Sequence, residues 1–193
     1  MEDITKYLIS KGEAMERCLA EQNADLDLMS ELGLLAQILR NAITERRMVF
    51  FFGNGGSAAE ATHIAGEFTS YCMKKHEPWA AISLNDSNSV LTAIPNDYNF
   101  EAVFERQMSA LAKPGDVAIG LSTSGRSRNV LNGLAVAKKI GCSTVLLTSV
   151  RAEAQNFPYC DLTLQAKSEV TTTIQEIHLH WLHAIIEHIE LSI

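Results

Sequence analysis

Residues 48–68, MVFFFGNGGSAAEATHIAGEF, decide how the chain is read. Met48 to Phe52 is a short, unbroken apolar run, as expected of a parallel strand buried on both faces. Gly53, Gly55 and Gly56 interrupt it, Ser57 is placed to cap a helix, and Ala58, Ala59, Glu60 and Ala61 propagate one. Strand, glycine turn and helix N-terminus together make a site for an anionic or highly polar ligand. Glycines let the backbone approach closely, and first-turn N–H groups point at whatever is bound. His63 and Glu67 follow four residues apart, so acid–base groups share a helix face just beyond the turn. A lone strand–glycine–helix unit is also an ordinary connection, and the surrounding chain has to decide between the two.

Outward from this stretch the texture is regular. Apolar strands are expected near 48–52, 79–84, 116–121, 143–148 and 161–165, with helical patterns near 57–72, 87–94, 100–112 and 127–140. That alternation predicts parallel βαβ units with right-handed crossovers, hence a three-layer α/β/α sandwich that binds ligands at the carboxyl ends of its strands. Before it, residues 1–46 carry two helical patterns: Ile4, Leu8 and Ile9, then Leu28, Leu32, Leu35, Ile38, Leu39 and Ile43, with Asp25 or Asp27 as a cap. Packing or oligomerisation is the default role for these helices. A long helix from about 171 to 191 closes the chain.

With 193 residues, 47% hydrophobic and 20% charged, the chain fits one well-buried domain. No apolar run reaches a membrane span, and the acidic, helical first residues lack the pattern of a signal peptide, so a cytoplasmic protein is expected. Cys18, Cys72, Cys142 and Cys160 are widely spaced and read as buried thiols. A net charge of −7 argues against broad nucleic-acid binding, although local N–H groups can still hold a small anion.

A second loop, residues 120–127 (GLSTSGRS), follows a predicted strand and gathers the hydroxyls of Ser122, Thr123, Ser124 and Ser127 at a helix start. Such hydroxyls, with backbone N–H groups, form a multidentate cradle for a phosphate monoester. A solvated serine turn is the plainer alternative. The loop is neither a Walker loop nor a nucleophile elbow. On the last helix, Gln175 and His183 are eight residues apart and within roughly 80° around the axis. His178, His180 and His188 compete with them, and spacing alone leaves the choice open.

Four motifs, GNGGSAAEATHIAGEF (53–68), LTAIPNDYNFEAVFERQ (91–107), LSTSGRSRNV (121–130) and IQEIHLHWLH (174–183), together resemble the SIS (sugar isomerase) domain family. The resemblance is greatest to its phosphoheptose isomerases, which convert sedoheptulose 7-phosphate into D-glycero-D-manno-heptose 7-phosphate. It implies a mainly parallel, flavodoxin-like five-stranded sheet in one SIS domain spanning 1–193, with 1–46 a helical extension that packs in the oligomer. It implies that Asn54, Gly55, Gly56 and Ser57 hold the sugar together with Asn96, Asp97 and Gln175, and that Ser122, Thr123, Ser124 and Ser127 take the phosphate. His63, Glu67, Gln175 and His183 match a zinc-binding quartet, with Glu67 and His183 also the acid–base pair. A homotetramer with sites at subunit interfaces is implied as well.

The chain departs from the family pattern at Tyr71 and Thr173, where cations are usual, at Pro95 in place of a glycine, and in residues 148–154, which lack a glycine pair. Arg126, Arg128 or Arg151 could replace the lost charge. Two other readings follow: an isomerase for a different phosphosugar, or a non-catalytic relative that binds the replication initiator DnaA or senses a phosphosugar. The presence of both Glu67 and His183 favours an enzyme.

Overall fold

In the computed structural model, which describes residues 3–152 and 157–193, two helices come first. The Asp3 carboxylate accepts from the Thr5 N–H and starts α1 (Ile4–Asn23). Asp25, rather than Asp27, starts α2 (Leu26–Thr44), accepting from the N–H groups of Asp27 and Leu28. Then β1 (Val49–Gly53) leads into α3 (Gly56–Thr69), and β2 (Ala81–Ser83) into α4 (Asn88–Asp97). A 3₁₀ turn precedes α5 (Val103–Leu111). The remaining order is β3 (Val117–Leu121), α6 (Arg128–Ile140), β4 (Ser143–Ser149), β5 (Leu162–Ala166) and α7 (Thr171–Ser192).

The strands form one sheet in the order β2-β1-β3-β4-β5, and every pairing is parallel. This is the flavodoxin-like order, in which the chain leaves β1 in opposite directions along the sheet and opens a crevice beyond the ends of β1 and β3. Both candidate loops follow those two strands, at residues 54–56 and 122–127.

Side-chain alternation builds two cores. Val49, Phe51, Ile119, Leu121, Val145 and Leu147 face α2, α3 and α7, while Phe50, Phe52, Ala118 and Leu146 face α5 and α6. Leu35 and Leu39 of α2 are fully buried in the first core, whereas Ile4, Tyr7, Leu8 and Ile9 of α1 stand exposed. Helix α4 runs three residues beyond its expected end, through Pro95. A proline forfeits one N–H bond, and in a last, exposed turn that loss is tolerated; Tyr98 N–H closes the turn on the Ile94 carbonyl.

Candidate active site

The glycine loop differs from expectation in one respect. Gly55, with φ 57°, occupies the cap position of α3, no side chain caps the helix, and Ser57 lies buried inside the first turn. The N–H groups of Ser57, Ala58 and Ala59 already bond the carbonyls of Asn54 and Gly55. These three donors are therefore used within the turn itself and are not free to bind an anion. Two asparagines brace it. Asn85 accepts from Gly53 N–H and donates to Gly53 O, and Asn129 forms a reciprocal amide pair with Asn54 at 2.9 and 2.8 Å. Asn129 is buried at the start of α6, so the pair ties the glycine loop to the hydroxyl loop.

Helix α7 crosses α3 and brings its own functional face to it. His63 Nε2 lies 2.8 Å from His183 Nε2 and 3.7 Å from the Glu67 carboxylate. Gln175 lies against the glycine loop: a Cβ on Gly56 would stand 2.2 Å from its Nε2. Gly56, Ala59, Glu60, His63, Gln175 and Leu179 line an open groove of about 400 Å³ between the two helices. The far end of α7 is locked by Glu190, whose buried carboxylate accepts the N–H groups of Cys72, Met73 and Lys74 at 2.7–2.9 Å and pairs with His76. Burial alone would push Glu190 up, but those three N–H bonds hold it below the usual glutamate range.

Burial, and then the neighbouring His63, lower the His183 imidazole below its ordinary value, so it is neutral and able to accept a proton or a metal at neutral pH. Two nearby groups carried no sequence signal. Glu60 is almost fully buried, and among the described residues neither carboxylate oxygen makes a hydrogen bond of good geometry; burial pushes it up to about 7, and the nearby Ser57 hydroxyl, too poorly placed for a proper bond, offsets only part. Cys72 is pushed up to about 12 by burial and by the Glu67 carboxylate beside it, so it stays a thiol. A buried carboxylate on a helix and a lone cysteine look like core filling in a sequence; only their surroundings mark them.

In the hydroxyl loop, Ser122 is buried and donates to Ser127 Oγ at 3.0 Å, while Ser124 Oγ accepts from Arg126 N–H. Thr123 and Ser124 are half-buried. Asn96 and Asp97 are exposed at the end of α4, bonded to each other at 2.8 Å, and do not line the groove. Among the competing histidines, His178 is fully buried, and His180 and His188 line a groove between α2 and α7. Of the departures, Tyr71 is exposed and Thr173 faces α1 rather than the groove. Glu153 and Ala154 of the altered loop lie outside the described residues. Arg128 pairs with Glu101, and Arg151 donates to Thr171 at the start of α7.

The donor set suits a metal ion. Ligand atoms of His63, Glu67 and His183 all lie within 4.8 Å of one another, two imidazoles and a carboxylate in the manner of an open zinc site. The imidazole nitrogens sit slightly closer than the about 3.3 Å that two ligands of one tetrahedral ion span, a small adjustment for partly exposed side chains.

Three comparisons bear on this geometry. The SIS domain model matches residues 7–149. The chain is 43% identical to the phosphoheptose isomerase of Aquifex aeolicus, over 81% of both chains. The chain belongs to the SIS domain family, in its phosphoheptose isomerase branch. It is also 40% identical to the phosphoheptose isomerase of a Bradyrhizobium species, over 98% of this chain and 93% of the relative. Its fold superposes on the phosphoheptose isomerase GmhA from Neisseria gonorrhoeae with a TM-score of 0.86 and 31% identity, covering 99% of this chain and all of that one. Within this SIS branch, the groove between α3 and α7 and the two loops at the sheet crevice are the parts with chemistry to offer.

Proposed function

We propose that this chain isomerises sedoheptulose 7-phosphate to D-glycero-D-manno-heptose 7-phosphate. The observation that carries the reading is the meeting of His63 and Glu67 with His183 across two helices, with His63 lining the same groove as Gly56 of the glycine loop. Aldose–ketose exchange moves a proton between neighbouring carbons through an enediol, so one group abstracts and another delivers. Glu67 and His183 divide these transfers; the neutral state of His183 fits it to exchange a proton. Asn54, Gly55, Gly56, Ser57 and Gln175 orient the sugar, Asn96 and Asp97 reach it from the end of α4 outside the groove, and Ser122, Thr123, Ser124 and Ser127 hold the phosphate. Zinc held by His63, Glu67, Gln175 and His183 would polarise the substrate carbonyl and stabilise the developing oxyanion. A purely binding role, towards DnaA or as a phosphosugar sensor, would leave the convergence of His63, Glu67 and His183 without a use.

The assembly we favour is a cytoplasmic homotetramer built on one SIS domain per chain, with the N-terminal helices between subunits. The exposed Ile4, Tyr7, Leu8 and Ile9 on α1 support that packing, since a second chain would cover them. No helix among the described residues is long and apolar enough to cross a membrane. The groove is open to solvent in the single chain, so a neighbouring subunit is expected to close it.

Incubating zinc-loaded protein with sedoheptulose 7-phosphate and following the aldoheptose signals by NMR tests the activity. Product formation that needs Glu67 supports the reading; no turnover by wild-type protein overturns it. Full activity after chelation would remove zinc, and an active monomer by light scattering would remove the shared site.

A further inference from the structure

His178 is the one α7 histidine whose side chain turns wholly into the protein, and the reaction as proposed does not use it. It is fully buried, and its Nε2 lies 2.8 Å from the carbonyl of Thr148 at the end of β4. A carbonyl only accepts, so Nε2 carries the proton and the ring is the Nε2–H tautomer. The segment it grips supports the hydroxyl loop. Ser149 Oγ donates to the Thr123 carbonyl at 2.7 Å, and also accepts from Arg151 N–H. Thr148 Oγ1 is buried under Gly125, 3.2 Å from where a Cβ of that glycine would stand. The same helix carries Gln175 one turn before His178 and His183 further along.

We infer that His178 is a positioning residue for the isomerase reaction: through the carbonyl of Thr148 it sets the phosphate-cradling loop in register with the acid–base face of α7. Two features favour this over simple core filling. An imidazole is a costly filler in an apolar layer, since its second nitrogen, Nδ1, is buried with no hydrogen-bond partner among the described residues. Leucine or phenylalanine would fill the same space without burying an unpaired ring nitrogen. The Nε2–H bond instead ties α7, which carries the acid–base face, to the end of β4, which supports the phosphate loop through Ser149, and keeping a fixed distance between phosphate and reacting carbons requires such a tie.

The inference rests on the proposed function, and its test separates the two. Wild type, His178→Leu, His178→Gln and Ser149→Ala are compared for inorganic phosphate binding by calorimetry and for steady-state isomerisation. Leucine keeps the volume and loses the donor; glutamine places an amide N–H near the original Nε2. The expected result is phosphate affinity lowered about tenfold in His178→Leu, with KM rising in step, and restored to within threefold in His178→Gln. Ser149→Ala, which cuts the link from the loop side, is expected to weaken phosphate binding similarly, and decides the matter if His178→Leu does not fold. Phosphate affinity unchanged in His178→Leu, or in Ser149→Ala if the leucine variant is unfolded, overturns the positioning role. Glutamine behaving worse than leucine also overturns it. Absent turnover in wild type with these phosphate differences intact would refute the isomerase reading while leaving the mechanical link standing.

Discussion

Asn54 and Asn129 hold each other through two side-chain hydrogen bonds, of 2.9 and 2.8 Å, across 75 residues of sequence. One belongs to the glycine loop after β1 and the other to the first turn of α6, so the amide pair fixes the two halves of the crevice relative to each other. Asn129 also accepts from Val130 N–H, and is buried. Replacing it by alanine removes both inter-loop bonds and leaves Asn54 partly exposed to water. The expected loss is about 1–3 kcal/mol of stability, read by urea denaturation, together with a raised KM. A variant as stable as wild type with unchanged KM would mean that the loops are held apart from this pair.

Glu67→Gln is expected to abolish turnover while keeping phosphosugar binding. Removing a general acid or base costs on the order of 10²–10⁴-fold in rate. Single-turnover kinetics beside calorimetry checks both halves, and a near wild-type rate would strip Glu67 of its role.

The hydroxyl loop should read phosphate specifically. Ser122→Ala combined with Ser124→Ala is expected to weaken sedoheptulose 7-phosphate far more than sedoheptulose, because hydroxyl donors in a fixed cradle act on the charged group. Equal weakening of both ligands in calorimetry would assign the loop to something else.

Gly56→Ala tests the contact with Gln175. A Cβ there would fall 2.2 Å from Gln175 Nε2, at the free end of a flexible side chain, so the fold accommodates it while the amide is displaced. Thermal stability is expected to change little, and zinc affinity to fall on the order of tenfold. Competition with a zinc chelator measures it; unchanged affinity would take Gln175 out of the ligand set.

Glu60 predicts a pH dependence of stability. Its folded value is raised to about 7 by burial, above the unfolded 4.5, so the native state holds the proton more tightly. Stability therefore falls as pH rises from about 4.5 through 7 and levels off above, by about 3 kcal/mol in all. Glu60→Gln should flatten that slope and stabilise the protein at pH 8, as measured by denaturation at several pH values. A less stable glutamine variant at pH 8 would show that the ionised carboxylate does not destabilise the fold.

The sequence by itself determined the layers, the glycine turn after β1 and the hydroxyl loop after β3. Each is written locally: apolar runs such as 48–52, glycines between strand and helix, and hydroxyls at a helix start all act within a few residues. It also determined that His63 and Glu67 share one face of α3 and that Gln175 and His183 nearly share one of α7, because helical geometry fixes angles around an axis. Which face of α7 meets α3 was decided only by tertiary packing. The buried Ile174, Ile177, Trp181 and Ile185 set the helix rotation against the sheet, turning His183 towards His63, His178 inward and His180 towards the first two helices. The same holds for Asn129, Glu60 and the cap of α3. A partner 75 residues away, a desolvated carboxylate and a helix start stabilised by backbone turns are properties of three-dimensional neighbours, and a residue's own letter does not carry them.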